Sequence, residues 1–291
     1  MTDNDGNVEL FDVIRTYKNM IKILAVGLPG NMAATFTKHA LKEEKFDVIK
    51  FSITGNNCDV QDYAIDGCFF HLIKANDKAM IDQLFEEHEP AIVVDYTEPS
   101  VGEQNIDLYC KKATHFVMGT TGININKVSD KIKDSGINAV IAPNMGKQIV
   151  AVQSMMKYAA DNFPDCFKDY TLEIKESHQK GKLDTSGTAR AMVGYFEQLG
   201  IVYDEDDIIK YREPDEQVKL GVPKEFLSGH GWHTYTLTSA DKTVCVEITH
   251  NVNGREIYAK GTLDSIFYLN KKITNGIKGK IFSMTDVLTD S

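Results

Sequence analysis

A short apolar strand that runs into a glycine turn and then a helix leaves a chain few architectures. Here Ile21-Lys22-Ile23-Leu24-Ala25-Val26 is a β-branched apolar run, and Gly27-Leu28-Pro29-Gly30-Asn31-Met32-Ala33 supplies the turn. Ala34, Phe36, Thr37, Ala40 and Leu41 then recur at helical spacing. That order opens a dinucleotide-binding βαβ unit. Gly27 lets the chain turn tightly, Gly30 lets backbone approach a pyrophosphate, and Ala33 lets the helix lie close to the strand. The pattern G-x-x-G-x-x-A is degenerate by itself; its place between strand and helix gives it weight.

The alternation continues. Asp47–Ile53 reads as the second strand and Ile81–His88 as a helix. Ala91–Thr97 is a continuous apolar strand with a polar end, His115–Met118 the next strand, and Ala139–Ala142 another. Residues 21–147 therefore form a Rossmann-like α/β domain, a doubly wound parallel sheet with ligand groups gathered at the carboxyl ends of its strands. Folds that prefer NAD carry Asp or Glu at the end of the second strand. Here that end is Ser52-Ile53-Thr54-Gly55-Asn56-Asn57, with no carboxylate before Asp59. Ser52 and Thr54 tolerate a 2′-phosphate, which tilts the expectation to NADPH; no Arg stands at the expected place, so NADH remains open.

After Lys147 the pattern changes. A helix over about 149–162 leads to an alternating strand, Tyr170–Glu176, and then a polar loop and a helix ending near Gly200. Residues 203–225 are acidic and turn-rich. Strands are expected at His233–Thr238, Val244–His250 and Glu256–Thr262, before a helix over Asp264–Lys272. This is an α+β domain, 148–263, with an open, mostly antiparallel sheet that offers a surface for self-association. The segment 264–291 is expected to return to the first domain, with one more strand or turn in Ile277–Leu288. Residues 1–20 form an N-terminal extension with a short amphipathic helix over Leu10–Tyr17, reaching as far as Met20.

The densest chemistry lies in Glu176-Ser177-His178-Gln179-Lys180-Gly181-Lys182-Leu183-Asp184-Thr185-Ser186-Gly187-Thr188-Ala189-Arg190. Ala189, Met192, Val193 and Phe196 place a helix start at Thr185–Thr188. Unpaired N–H groups and the positive dipole end there suit a carboxylate. An imidazole, two ammonium groups and an anion cradle thus share one loop, and a solvated polar loop with an ordinary cap has the same residues.

The formal net charge of −10 argues against a nucleic-acid partner. No apolar run reaches the ~18–20 residues that span a bilayer, so no membrane segment is expected. The start, Met1–Asp5, is acidic where transit peptides are Arg-rich, and a cytoplasmic location is expected. The five cysteines are scattered, without zinc spacing, and are read as free thiols in a reducing compartment. The run Asp204–Asp207 reads as a solvated face, and no metal is expected. His39, His71, His88 and His115 read as surface or packing residues.

Taken together, Gly27-x-x-Gly30-x-Met32, Asp95-Tyr96-Thr97-x-Pro99, Gly119-Thr120-Thr121-Gly122, Ala142–Gln148 and Glu176–Ala189 resemble the 4-hydroxy-tetrahydrodipicolinate reductase family of lysine and diaminopimelate synthesis. The resemblance continues through Ser228-Gly229-His230, His250-Asn251-Val252-x-Gly254-Arg255 and Tyr258-Ala259-x-Gly261-Thr262, so that it covers roughly 21–288. Glu-Ser-His-Gln and Asp-Thr-Ser-Gly-Thr-Ala are similar to the plant-type branch. The resemblance implies nicotinamide-dependent reduction of a cyclic imine dicarboxylate. It makes His178 the proton donor and Lys182 a catalytic cation that holds a carboxylate. Ser186, Gly187 and Thr188 would bind a carboxylate, and Thr121 would touch the substrate or the nicotinamide side. Gly27, Gly30, Asn31 and Met32 would line the pyrophosphate, and Gly119 and Asn144 the nicotinamide ribose or carboxamide. Thr97, Thr120 and Met145, in the same motifs, are counted as cofactor contacts. The family also implies a homotetramer built through the antiparallel sheet.

Some residues depart from the family pattern. Asn31 and Ala33 stand where the phosphate loop usually has a basic residue and a Gly. Gln179 replaces the second histidine of bacterial forms, and Gly231-Trp232 replaces a smaller pair. Trp232 reads as core or subunit packing, or as a substrate contact. A different cyclic imine or unsaturated acid, or a non-catalytic NAD(P)-binding sensor, are the other functions these residues allow.

Overall fold

The computed structural model describes residues 20–182 and 184–290; the extension helix expected before Met20 lies outside them. Strands and helices alternate from Ile21 onward. β1 (Ile21–Val26) feeds α1 (Asn31–Ala40), and β2 (Phe46–Val48) follows. β3 (Phe51–Thr54), β4 (Asp62–Ile65) and β5 (Cys68–Lys74) precede α2 (Lys78–His88), β6 (Ile92–Asp95) and α3 (Pro99–Lys111). β7 (His115–Met118), α4 (Ile125–Ser135) and β8 (Ala139–Ile141) complete this run. The parallel sheet has the order β13-β8-β7-β6-β1-β2, where β13 is Ile281–Phe282, near the end of the chain. Its strands read as unbroken apolar runs because helices cover both faces; Ile23, Leu24, Ile92, Val93, Phe116 and Val117 are all fully buried.

The chain divides into two compact units, one running to Met145 and resuming at Ala259, the other Gly146–Tyr258. The second begins with α5 (Lys147–Asn162), β9 (Thr171–His178) and α6 (Gly187–Gln198). β10 (Ile209–Tyr211), α7 (Pro214–Leu220), β11 (His230–Thr238) and β12 (Cys245–Asn253) follow. Its sheet has the order β10-β9-β11-β12. β9 and β11 pair antiparallel, with Glu176 opposite His233 and His178 opposite Gly231; β10 joins β9 in parallel. The inner face packs Ile174, Tyr235 and Leu237 against Ala189, Met192 and Phe196 of α6.

Three expected elements differ. The single strand over 47–53 is two: β2 stays in the main sheet, and β3 leaves it to pair with β5 in a separate sheet of order β3-β5-β4. The strand expected over Glu256–Thr262 is the first part of one helix, α8 (Glu256–Thr274). Ala259, Thr262, Ser265, Ile266 and Leu269 are buried at helical spacing, and this periodicity wins over the local alternation of Ile257, Ala259 and Gly261. Finally, the stretch 203–225 is ordered into β10 and α7 rather than being turns alone. The tail gives β13 and then α9 (Met284–Thr289), which starts with a capping box between Ser283 and Asp286.

Candidate active site

In the first unit, the ends of β1, β3 and β6 line a cleft of about 750 Å³ that includes Gly27, Gly30, Thr54, Asn56, Thr97 and Asn105. Gly27 has φ +106°, and a Cβ there would stand 2.9 Å from the Tyr96 carbonyl oxygen, so only glycine fits. Gly30 donates its N–H to the Gly27 carbonyl at 2.8 Å, and a Cβ on Gly30 would meet that same oxygen. Its missing side chain is thus already used by the turn itself. α1 starts with no side-chain cap, which leaves its first amides for an anion. A glycine turn, an uncapped helix start and a cleft beside them fit a dinucleotide.

Other expected cofactor contacts fall elsewhere. Ser52 is fully buried, and its Oγ accepts from Leu28 N at 3.3 Å; it braces the turn and does not face a ribose. Met145 is also buried, its sulfur accepting from Ser265 Oγ at 3.8 Å and its carbonyl oxygen lying where a Cβ on Gly261 would go. Its side chain belongs to the core of this unit. Asn31 is exposed at the helix start, Met32 is half-buried and Thr121 is exposed. A Cβ on Gly119 would run into the Tyr96 ring, so this glycine makes room for a neighbour. Asn31, Met32, Gly119, Thr120 and Asn144 lie outside the lining of the cleft.

Thr97 and Thr120 turn out to share a hub. The fully buried Asp95 carboxylate accepts from Thr97 N and Oγ1, both at 2.7 Å, from Asn105 Nδ2 at 2.9 Å and from Tyr109 Oη at 2.6 Å. Thr120 Oγ1 reaches it at 3.3 Å and also bonds the Thr97 carbonyl. Burial and the Asp95 charge push the Tyr109 hydroxyl well above its ordinary pKa, so it stays a donor. Four neutral side chains thus fix the loops after β6 and β7 around one anion.

The second unit is built differently. Alternation along β9 sends Glu176 and His178 to one face, and His233 of β11 joins them. Glu176 is buried to 1% exposure. Arg212, just after β10, forms a short ion pair with its Oε1, and Ser186 N donates to Oε2 at 3.2 Å. Ser186 caps α6 by accepting from Ala189 N, and its Oγ lies 2.8 Å from His233 Nε2. Both polar groups of Ser186 are therefore engaged within the protein. The carboxylate expected at this helix start is met in part by Glu176 itself. Gly187 is exposed and Thr188 half-buried at the same start.

The His178 ring lies over Gly231, where a Cβ would come within 3.3 Å of Nε2. The His178 and His233 rings meet edge-on at 5.0 Å, and the His233 and His250 rings lie 4.7 Å apart. Burial first, then the charges of Arg212 and Lys182, pull the His178 pKa down to about 3. Burial likewise lowers His230, His233 and His250. The His178 backbone carbonyl accepts from Gln217 Nε2 of α7 at 2.7 Å. Lys182 Nζ pairs with Asp184 at 2.9 Å, while Lys180 is exposed and pairs with Glu213. Glu176, His178 and His233 bring possible metal-ligand atoms within 4.8 Å of one another. The Arg212 guanidinium already neutralises that carboxylate, a poor arrangement for a cation.

Arg212, Gln217 and His233 were not among the expected site residues, nor were Asn105 and Tyr109 of the Asp95 hub. Trp232 Nε1 donates to Asn253 at 2.8 Å, and the ring edge lies beside Gly221, so it packs. His71 pairs with Asp62, His88 lies against Phe51, and His115 Nδ1 accepts from Asn138 N, all packing or surface roles.

The family profile "Dihydrodipicolinate reductase, N-terminus" matches residues 21–145, and "Dihydrodipicolinate reductase, C-terminus" matches 148–288. The chain belongs to the dihydrodipicolinate reductase family. Its relatives include 4-hydroxy-tetrahydrodipicolinate reductase 1, chloroplastic, of Arabidopsis thaliana, 41% identical over 274 residues that span 94% of this chain and 79% of the relative. The second Arabidopsis reductase is 47% identical over 212 residues, 72% of this chain and 61% of the relative. The dipicolinate-bound dihydrodipicolinate reductase of Paenisporosarcina sp. TG-14 superposes with a TM-score of 0.64 over 91% of this chain and 98% of that one. At 18% identity it supports the fold. The family resemblance and the fold class read from the motifs both hold. Among the described residues, no helix is long and apolar enough to cross a membrane.

Proposed function

We infer that this chain is an NAD(P)H-dependent reductase that converts 4-hydroxy-tetrahydrodipicolinate, with loss of its 4-hydroxyl as water and addition of hydride and a proton, to tetrahydrodipicolinate on the route to diaminopimelate and lysine. The observation that carries the reading is the buried end of β9, where His178 sits beside Arg212, Lys182 and the start of α6. The turn at Gly27–Gly30 and the start of α1 hold the cofactor's phosphates, and Thr54 and Thr97 line its cleft. When bound, the reduced nicotinamide supplies hydride to the conjugated imine.

His178 supplies the proton that completes the reduction. Without substrate its ring is neutral, because burial and the charges of Arg212 and Lys182 oppose protonation. A dianionic substrate reverses that balance: two carboxylates beside the ring, held by Lys182 and by Gly187 and Thr188, favour the imidazolium. The proton donor is thus loaded when the substrate arrives. Asp184 holds Lys182 in the loop until a substrate carboxylate competes for it.

NADPH is the preferred cofactor, because the part of the cleft that follows β3 is lined by Thr54, Asn56 and Asn57, neutral groups that do not repel a 2′-phosphate. The exposed strand β12, with Cys245, Glu247, Thr249 and Asn251 open to solvent, supports assembly into a homotetramer. Free cysteines suit a reducing compartment such as the cytosol; the plant relatives are named as chloroplastic.

The test mixes purified protein with freshly made 4-hydroxy-tetrahydrodipicolinate and NADPH or NADH and follows cofactor absorbance. Turnover with a lower Michaelis constant for NADPH is the expected result. Cofactor binding without turnover on this substrate, with activity on another cyclic imine, would overturn the substrate assignment.

A further inference from the structure

Arg212 bonds to the loop after β9 at several points. Its Nε donates to the Lys182 carbonyl at 2.6 Å, and Nη2 reaches the Asp184 carbonyl at 3.4 Å. Nη1 donates to the Glu176 carbonyl at 3.4 Å and to that of Tyr211 at 3.3 Å, while Nη2 also takes the Glu176 carboxylate. One planar fork therefore ties a strand end to both sides of the loop, a spread of donors that an ammonium group does not possess. Through Ser186 N, the same carboxylate also fixes the start of α6.

A second observation concerns His178. Its Nδ1 is buried and has no hydrogen-bond partner. Glu176 Oε1 lies 4.0 Å away. A neutral ring can leave one nitrogen bare, but an imidazolium carries N–H on both, and a buried N–H without an acceptor is costly.

We propose that Glu176 and Arg212 are a positioning pair for His178: Arg212 holds the carboxylate and the loop in one frame, and Glu176 accepts from Nδ1 when the ring carries its proton. The inference rests on the reading of His178 as the proton donor. The other groups facing this ring do not offer the same service. Lys182 and Arg212 are cations, Asp184 favours the imidazolium but from an exposed position where it is paired with Lys182, His230 and His233 on β11 are themselves neutral when buried, and the Tyr258 hydroxyl of α8 lies on the Gly231 side. Glu176 is the one anion on the face of β9 that carries His178.

The experiment measures kcat and KM across about pH 6 to 9 for the full-length enzyme and for Glu176→Gln and Arg212→Lys, with thermal melts to establish folding. Glu176→Gln keeps the shape and removes the charge. It is expected to lower the pKa that governs kcat by about one unit or more, the usual effect of losing an anion at this range. Arg212→Lys keeps the charge and loses the fork. It is expected to reduce kcat by ~10–100-fold and raise KM while leaving that pKa in place, as misplacement does. Glu176→Gln also decides the question alone if Arg212→Lys does not fold. A folded Glu176→Gln enzyme with wild-type kcat and pH profile would overturn the proposal. His178→Ala, run beside them, separates the two readings: full activity there removes the proton donor itself, while inactivity there with a wild-type Glu176→Gln removes only the positioning pair.

Discussion

The two units solve the same problem, a buried carboxylate, in opposite ways. Asp95 is surrounded by uncharged donors from Thr97, Asn105, Tyr109 and Thr120. Glu176 is met by a guanidinium, a backbone amide and two imidazoles, with His233 Nε2 at 3.7 Å and His178 Nδ1 at 4.0 Å. Neutral donors give a frame whose geometry does not depend on moving protons. A cluster of ionisable groups gives a site whose charge responds to what binds. The contrast suits the proposed division of labour, in which the first unit presents a cofactor and the second loads and delivers a proton.

The strongest way to break this contrast is Arg212→Ala. It strands a buried carboxylate, and the second unit should lose ~3–5 kcal/mol of stability, the range for removing one partner of a buried pair. A loss below about 1 kcal/mol in denaturant unfolding would mean that Glu176 is not held as a buried charge. Asp95→Ala comes next. Its donors lose their acceptor, and a loss of about 3 kcal/mol is expected, read by amide exchange in β6, β7 and α3. Unchanged protection there would show that the hub is not structural.

Acidity should separate the units further. The folded pKa of His178 lies below the unfolded value, so between them the unfolded chain binds more protons, and stability rises with pH. His230, His233 and His250 are lowered in the same direction, while in the first unit His115 is the one lowered histidine among the described residues. Their contribution is present above about pH 6.5 and is lost as pH falls from there toward about 3 for His178. Urea unfolding at about pH 5.5 should show the second unit weaker than at about pH 7.5, by on the order of 1 kcal/mol or more. Equal stability at both would contradict the buried neutral cluster.

The smallest effect distinguishes two lysines of one loop. Lys182→Ala should raise the Michaelis constant for the dicarboxylate several-fold, whereas Lys180, exposed and paired with Glu213, should be replaceable by Ala within about 0.5 kcal/mol and without loss of turnover. A Lys180→Ala enzyme with a raised Michaelis constant would reverse that assignment.

The parallel sheet was legible because its strands are apolar throughout and its helices amphipathic. Periodicity cannot show where one apolar run serves two sheets, and so the break at Ile49–Lys50 between β2 and β3 was hidden. The hairpin of β4 and β5 did leave a signal that went unread: Asp66-Gly67, both at positive φ, between alternating residues. In the site, Glu176, His178 and Lys182 stood out by residue type and crowding. Arg212 did not, because it lies 36 positions from Glu176 in an acidic stretch and reaches it only through the pairing of β10 with β9. Ser52 and Met145 looked like contacts because one stands at the end of the second strand, where the ribose binds, and the other in a loop motif; their burial could be seen only once the helices were placed.

The central claim is that the second unit delivers its proton through His178. Turnover of 4-hydroxy-tetrahydrodipicolinate by His178→Ala, measured beside the wild type at saturating NADPH and with cofactor affinity checked separately, tests it most directly. The account predicts turnover reduced by ~10²–10⁴-fold with cofactor affinity unchanged. Turnover within about two-fold of the wild type would contradict it.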